Sequence, residues 1–164
     1  MKWDAIFEAR GPAATILIRL MVGTVFVSEG LQKFLFPDQL GVGRFEKIGF
    51  AGAHWLAPFV GTFEVTCGTL VLVGLVTRLA VLPLVAIMAT AITSTKLPIL
   101  FGGSLGPFHV QGLAHSGFWA MAHEARTDWS MLLGSLFLLV VGSGTRSLDA
   151  RLARTRTAGG GIAG

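Results

Sequence analysis

The sequence predicts an all-α integral membrane protein, built as a four-transmembrane-helix bundle with interfacial or re-entrant segments in its loops. The first observation is composition: 52% of the 164 residues are hydrophobic and 13% are charged, about half the charged share usual in soluble domains. The second is a mean hydropathy of +0.69. The third is the presence of four apolar stretches. A soluble domain of this length has too little interior to enclose so much apolar surface.

The four apolar stretches define the predicted helices. About 20 helical residues cross the ~30 Å hydrocarbon core of a bilayer. Residues 14–35 and 56–76 reach that length, and residues 79–95 come close to it. The last stretch, residues 129–142, is shorter, so its helix is expected to begin before Trp129, to lie partly in protein or to thin the bilayer.

Loop lengths predict the topology. A tight turn at residues 77–78 joins the second and third helices as an antiparallel hairpin, whereas the loops 36–55 and 96–128 are long. With four spans, both long loops lie on one face and both termini on the other. Eight basic residues then fall on the terminal face (Lys2, Arg10, Arg19, Arg78, Arg146, Arg151, Arg154, Arg156) and five on the loop face (Lys33, Arg44, Lys47, Lys96, Arg126). Because positive charge stays inside, both termini are expected to be cytoplasmic in a bacterial or archaeal inner membrane.

The end of the chain is basic and rich in glycine. Residues 1–150 are predicted to form the membrane domain, and residues 151–164 a disordered cytoplasmic tail. Basic residues near the C-terminus that face an anionic cytoplasmic leaflet explain the net charge of +4. No nucleic-acid partner is therefore expected.

The first two predicted helices each carry a polar face that is notched by glycine. At about 100° per residue, six side chains of the first helix fall within an arc of ~120° (Arg19, Gly23, Phe26, Glu29, Gly30, Lys33). On the second helix, Gly61, Glu64 and Gly68 lie within ~60° of one another. A charge that faces lipid costs at least ~2.5 kcal/mol, so both faces are expected to turn inward and meet at their glycines.

Charged residues of these helices converge near the outer surface. Glu29 and Glu64 lie ~9 Å and ~12 Å below the outer ends of their predicted helices, and they are the candidate catalytic residues for proton exchange. The candidate cofactor-binding residues lie near the same surface or in the third loop, where they are available to cover the two acids: Lys33, Lys96, His109, His115 and Glu124.

Two interpretations of this cluster stay open. In the architectural one, Glu29 pairs with Lys33 along the helix, and Glu64 pairs with Lys33 or Lys96 to hold the bundle together. Arg19 then snorkels to the inner surface. In the functional one, a buried cluster at headgroup depth binds and protonates an amphiphile such as a quinone.

Other kinds of site are not expected. The histidine spacing in the third loop matches no rigid metal-ligand pattern, and the predicted spans contain no axial histidine for haem. Cys67 is the one cysteine, so the chain cannot form an internal disulfide or a C-x-x-C pair. Cys67 is expected to be a small buried hydrophobe.

A series of short motifs runs through residues 14–150. In chain order they are Arg19-Leu20-x-x-Gly23, Gly30-x-x-Lys33, Pro58, Glu64-x-x-x-Gly68, Gly74-Leu75-x-x-Arg78, Met88-x-x-Ala91, Glu124 and Gly142-x-Gly144-x-x-Ser147-Leu148-Asp149. Together they resemble the motifs of the DoxX family of small bacterial and archaeal membrane proteins. The resemblance implies a four-helix membrane bundle in a redox setting, because the family takes its name from a subunit associated with a terminal quinol oxidase and with thiosulfate:quinone oxidoreductase.

The resemblance and the charged cluster together favour a membrane subunit of an oxidoreductase system. Quinone at the outer leaflet is the expected cofactor, and a protein of a redox complex is the expected partner, beside the lipid bilayer. One alternative is a non-catalytic anchor or assembly partner, for which Gly23, Gly30 and Gly68 matter while the charges tolerate neutral substitution. The other is a carrier for a small solute or lipid. Whether the chain is itself an enzyme stays open.

Overall fold

The computed structural model describes residues 11–159, with side chains described as far as residue 155. Its elements are, in chain order, α1 (Thr15–Leu35), α2 (Val42–Ile48), α3 (Ala53–Val73), α4 (Thr77–Ala91), a π-helical segment (Ile92–Lys96), α5 (Leu97–Leu100), β1 (Ser104–Leu105), β2 (Phe108–His109), α6 (Phe118–Val141) and α7 (Leu148–Gly159). The two short strands pair antiparallel as a hairpin. The described chain is therefore mostly helical, as the composition predicted.

Within residues 11–159, three helices are long and apolar enough to cross a membrane. They are α1, α3 and the continuous run Thr77–Leu100, which joins α4, the π segment and α5. These correspond to the first three predicted spans. α6 is a further long helix that begins at Phe118, well before Trp129, as the short apolar stretch predicted. It is not among the helices of sufficient apolarity, so the fourth span stays a prediction.

α1 and α3 pack with their backbones in close contact. A Cβ atom added at Gly30 would lie 2.7 Å from the carbonyl oxygen of Gly61, and one added at Gly23 would lie 2.9 Å from that of Gly68. Only hydrogen fits at such distances, so the glycines set how closely the helices approach. The glycine-notched faces of the two helices therefore meet, as predicted.

The four long helices form a ring of neighbours. α1 packs against α3 and α6, and α4 packs against the same two helices. The α1–α3 pair therefore stands opposite the α4–α6 pair. The core between them consists of buried side chains from all four helices: Val22, Phe26, Cys67, Val71, Ala80, Val81, Leu84, Met131 and Leu138.

Short elements and aromatic side chains cover one end of this ring, which we call the outer end. The rings of Phe45 and Phe50 lie 5.3 Å apart, and Phe108 of the strand hairpin lies 5.1 Å from Phe50. Trp55 and Trp119, near the starts of α3 and α6, are largely exposed. Exposed indoles at helix ends are typical of the interface between membrane and water.

The opposite end, which we call the inner end, holds both ends of the described chain. The backbone N–H of Thr145 donates a hydrogen bond to the carbonyl oxygen of Gly11 at 3.1 Å. The predicted disordered tail differs from the structure, because residues 151–159 continue α7 as a helix. The rest of that predicted tail, residues 160–164, lies outside the described residues.

Candidate functional site

A cavity of about 490 Å³, which we call the helix cavity, lies between the outer halves of the four long helices. Each helix turns one face towards it, because the lining residues recur every three or four positions. α1 contributes Val25, Glu29 and Lys33; α3 contributes Leu56, Val60 and Glu64; α6 contributes Glu124, Thr127, Asp128 and Met131. The structure thus brings both predicted catalytic carboxylates to one cavity with Lys33, Lys96 and Glu124.

The first ion pair of the helix cavity joins α1 to α3. Lys33 Nζ lies 2.6 Å from Glu64 Oε2, and the two side chains are 10% and 3% exposed. Lys33 Nζ also donates a hydrogen bond to the backbone carbonyl oxygen of Glu29 at 3.3 Å. The pair lies one helical turn from the contact between Gly30 and Gly61, so close packing of the helices and pairing of the charges occur together.

The architectural interpretation paired Lys33 with the carboxylate of Glu29, and the structure differs on this point. Lys33 reaches the backbone of Glu29 instead of its carboxylate, because its ammonium group turns across the interface towards Glu64. Within residues 11–155, the carboxylate of Glu29 lines the cavity without an ion pair. The expected pair within the helix is therefore wrong, and Glu29 keeps acceptor capacity that a ligand can use.

The second ion pair joins the π segment to α6. Lys96 Nζ lies 3.4 Å from Asp128 Oδ2, with the side chains 14% and 19% exposed. Of the two partners considered for Glu64, the structure selects Lys33 and leaves Lys96 to Asp128. Asp128 was not among the predicted site residues.

The π segment contributes polar groups to the cavity. Its last three residues, Ser94, Thr95 and Lys96, all line it. The hydroxyl groups of Ser94 and Thr95 donate hydrogen bonds to the carbonyl oxygens of Thr90 and Ala91, at 2.8 and 2.6 Å. π-helical turns within α-helices are frequent at functional sites.

A second cavity of about 820 Å³, the vestibule, adjoins the helix cavity. It shares some lining with the helix cavity, namely Arg44, Ile48, Thr95, Lys96 and Glu124. His109, His115 and His123 line the vestibule, so the two predicted cofactor-binding histidines do not contact the helix cavity. The cover of the helix cavity comes instead from α2 and its surroundings, through Phe45, Ile48 and Phe50.

The inner end contains a different charged cluster, centred on Arg19. Its side chain is 2% exposed. Nε donates to the carbonyl oxygen of Val71 at 2.9 Å, and Nη2 donates to that of Leu72 at 2.6 Å. Nη1 donates to the carbonyl oxygens of Arg146 at 2.7 Å and Ser143 at 3.2 Å. The expectation that Arg19 snorkels to the membrane surface is therefore wrong, because backbone carbonyls at the end of α3 and after α6 solvate it.

Asp149 completes the inner cluster from the start of α7. Its carboxylate, 1% exposed, accepts hydrogen bonds from the backbone N–H groups of Val76 at 2.8 Å and Thr77 at 3.3 Å. Its own N–H donates to the carbonyl oxygen of Gly74 at 2.9 Å. Val76 has a φ angle of 45°, which is strained for a β-branched residue. Asp149 therefore holds the turn between α3 and α4.

The predicted site residues did not include Asp128 or Arg44, and the π segment was not predicted. Asp128 could have been found, because Glu124, Asp128 and Met131 follow helical spacing and α6 had been expected to begin before Trp129. Nothing in the local sequence marks the π segment, whose residues would fit a regular helix equally well. In the described part of the chain, no group of three or more His, Cys, Asp or Glu side chains is placed to hold a metal ion.

Comparison with known proteins gives the family. Residues 14–97 match the DoxX family. The chain is 54% identical over 159 residues to an uncharacterized membrane protein of Mycobacterium tuberculosis, an alignment that covers 96% of this chain and 93% of the relative. No solved structure matches the chain. On these two matches, the chain belongs to the DoxX family of membrane proteins.

Proposed function

We propose that this chain is the membrane subunit of an oxidoreductase system and that the helix cavity binds a quinone headgroup near the outer leaflet. The observation that carries the proposal is a cavity of about 490 Å³ whose walls combine apolar side chains with two ammonium–carboxylate pairs. Pockets of ~300–1,000 Å³ that are mostly apolar, with a few convergent polar groups, are typical of small-molecule sites.

The polar groups suit a ligand that carries carbonyl oxygens. Lys33 Nζ has three N–H donors, of which Glu64 and the carbonyl oxygen of Glu29 use two. The third donor is available for a ligand oxygen. Glu29 and Glu64 can exchange protons with that oxygen through their carboxyl groups.

Reduction or oxidation of a quinone at this site requires a partner protein that transfers electrons. Reduction of a quinone adds two electrons and two protons and turns two carbonyl groups into hydroxyl groups. The chain has a single cysteine, Cys67, so it has no pair of thiols that could supply two electrons. A partner redox protein supplies or removes the electrons, while the carboxyl groups of this chain carry the protons.

The proposal includes α6 as a fourth span, with both termini cytoplasmic. Glu124 and Asp128 of α6 line the helix cavity with Met131, so these charges avoid lipid. The excess of basic residues at the inner end favours the cytoplasmic side for that end. Reporter fusions after residue 45 and after residue 159 are expected to locate to opposite sides of the membrane; fusions on the same side would contradict this topology.

Binding of quinone is the direct test. Protein purified in mild detergent from a quinone-producing host is expected to retain quinone, detected by solvent extraction and chromatography. Glu64→Gln removes the carboxylate of the tight ion pair and is expected to weaken binding of a short-tailed ubiquinone about tenfold or more. Glu46→Gln is the matched control, because Glu46 is exposed on α2 and lines neither cavity. Equal affinities for wild type, Glu64→Gln and Glu46→Gln would overturn the proposal.

A second candidate, a non-catalytic anchor or assembly partner, is favoured by the close packing of α1 on α3. The 2.6 Å pair of Lys33 and Glu64 joins these two helices beside Gly30. Exchange of the two charges, Lys33→Glu with Glu64→Lys, keeps an ion pair across the interface but moves the carboxyl group. Under the quinone proposal this variant folds but loses quinone, whereas under the anchor proposal it behaves as wild type in every assay.

A further inference from the structure

We infer that the helix cavity holds its ligand at two opposite ends, and that Lys96 and Asp128 form the second end. The ligand is then a flat ring with carbonyl groups at two opposite positions. An amphiphile with a single polar head would contact only one end of the cavity. This inference rests on the proposed function and adds to it the residues that bind the far side of the ring.

The helix order places the two ion pairs on facing walls. Lys33 and Glu64 join α1 to α3, whereas Lys96 and Asp128 join the end of the α4 run to α6. Because the α1–α3 pair stands opposite the α4–α6 pair, the two ion pairs face each other across one cavity. A ligand that fills the space between them meets an ammonium group and a carboxylate at each side.

The second ion pair is looser than the first. Its N–O distance is 3.4 Å, against 2.6 Å for Lys33 and Glu64. A buried pair recovers the loss of hydration only when its geometry is close and its remaining valences are used. The loose pair of Lys96 and Asp128 therefore stabilises the bundle less, and its ammonium group can turn to a ligand oxygen with less loss.

The π segment supports a donor role for Lys96 in particular. Ser94 and Thr95, beside it in the cavity wall, already donate their hydroxyl protons to backbone carbonyl oxygens of α4. A hydroxyl group has one proton, so these two side chains can only accept from a ligand. Lys96, which lines the same wall, is thus the donor of the π segment for a carbonyl oxygen.

The arrangement also gives each ligand oxygen its own source of a proton. During reduction, the ammonium group of Lys33 gives one proton to the oxygen on the Glu64 side, and that of Lys96 gives the other to the oxygen on the Asp128 side. Each amine then regains a proton from solvent by way of its carboxylate partner. The two electrons come from the partner redox protein of the proposed function. The two hydroxyl groups of the hydroquinone formed then donate hydrogen bonds to the carboxylates of Glu64 and Asp128.

The test compares two neutral double variants that leave no buried charge unpaired. Lys96→Met with Asp128→Asn removes the second end, and Lys33→Met with Glu64→Gln removes the first. The probes are decylubiquinone and an analogue with the same tail in which one carbonyl group is replaced by hydrogen. Wild type is expected to bind the dione about tenfold more tightly than the analogue, as one lost hydrogen bond to a charged group implies.

The second-end variant is expected to lose that preference while it binds the analogue as wild type does. Infrared spectra of dione labelled with ¹³C at one carbonyl or the other are expected to show both stretches lowered in wild type. In the Lys96→Met, Asp128→Asn variant, only one of the two stretches should return to the frequency of the unbound dione. Merely structural damage would move both stretches and both affinities together.

The outcomes separate the two proposals. Undiminished dione preference in the second-end variant, with binding lost in the first-end variant, overturns the two-ended site and leaves the proposed function standing. Absence of quinone binding in wild type overturns both. A melting temperature close to that of wild type for the second-end variant, measured in the same detergent, confirms that its binding data report on the site.

Discussion

The two ends of the helix bundle keep buried charges in opposite ways. At the inner end, Arg19 directs its guanidinium to four backbone carbonyl oxygens, and Asp149 accepts from two backbone N–H groups. At the outer end, Lys33 and Lys96 each pair with a carboxylate beside a cavity. The difference shows that burial of a charge does not by itself mark a binding site. Lys33 and Lys96 differ from Arg19 because their pairs line an open volume, and the proposed function rests on that difference.

The sharpest test of this comparison is Arg19→Met, for which we expect the largest loss of stability. The substitution removes the guanidinium donor from the carbonyl oxygens of Val71, Leu72 and Arg146. Removal of one buried charge from a satisfied cluster costs about 3–5 kcal/mol of unfolding free energy. Thermal unfolding in detergent measures it, with exposed Arg151→Met as the control. A melting temperature equal to that of the control would show that the inner cluster is not structural.

Gly30→Val is expected to have the next largest effect, because it disturbs the outer end through packing. A Cβ at this position would lie 2.7 Å from the carbonyl oxygen of Gly61, so α1 and α3 must separate. Overpacking of this kind costs about 1–3 kcal/mol and should also lengthen the ion pair of Lys33 and Glu64. Denaturant unfolding measures the loss, and Ser28→Val on the exposed face of α1 is the control. Equal stability of the two variants would contradict the close contact of the helices.

Asp149→Asn tests the other half of the inner cluster and should have a smaller effect. The amide keeps one acceptor oxygen but loses the charge that strengthens the bonds to Val76 and Thr77. A loss of about 1–2 kcal/mol is expected, in the range of helix-cap substitutions. Differential scanning fluorimetry in detergent can measure it against Asp38→Asn in an exposed loop. A shift in melting temperature no larger than that of the control would show that the Asp149 carboxylate does not stabilise the turn.

Glu29→Gln should have the smallest effect on stability, and it separates folding from binding at the outer end. The carboxylate is exposed to the cavity and takes part in no ion pair of the described residues. Its substitution should change the unfolding free energy by less than about 0.5 kcal/mol while it weakens quinone binding. Melting and quinone-binding assays on the same preparation check this, with Glu46→Gln alongside. A large drop in melting temperature would place Glu29 with the structural charges.

Helical spacing was enough to predict which faces of α1 and α3 meet, because Gly23, Gly30, Glu64 and Gly68 are fixed by their positions within single helices. The same spacing located Glu29, Glu64 and Lys33 near one end. It did not determine partners, since Lys33 and Lys96 were equally plausible for Glu64 until the helix order was known.

Long-range and backbone features were the ones that sequence reasoning missed. The carbonyl oxygens that bind Arg19 come from residues 52 to 127 positions away, and backbone acceptors leave no mark in a sequence. The cover from α2 was likewise missed, because Phe45 and Phe50 look like any aromatic residues of an interfacial loop. His109 and His115 of the third loop were predicted to bind a cofactor because of their residue type, although the fold places them in the vestibule.

The solvation of Arg19 has a consequence for how the chain is made. Ser143, one of its acceptors, lies 124 residues further along the chain. At about 5–20 residues per second of synthesis, Arg19 is added to the chain roughly 6–25 s before that carbonyl exists. Throughout this interval the first helix holds a cation whose set of four acceptors is incomplete. Until the C-terminal segment is made, the guanidinium therefore lacks its two acceptors beyond α6, the carbonyl oxygens of Ser143 and Arg146.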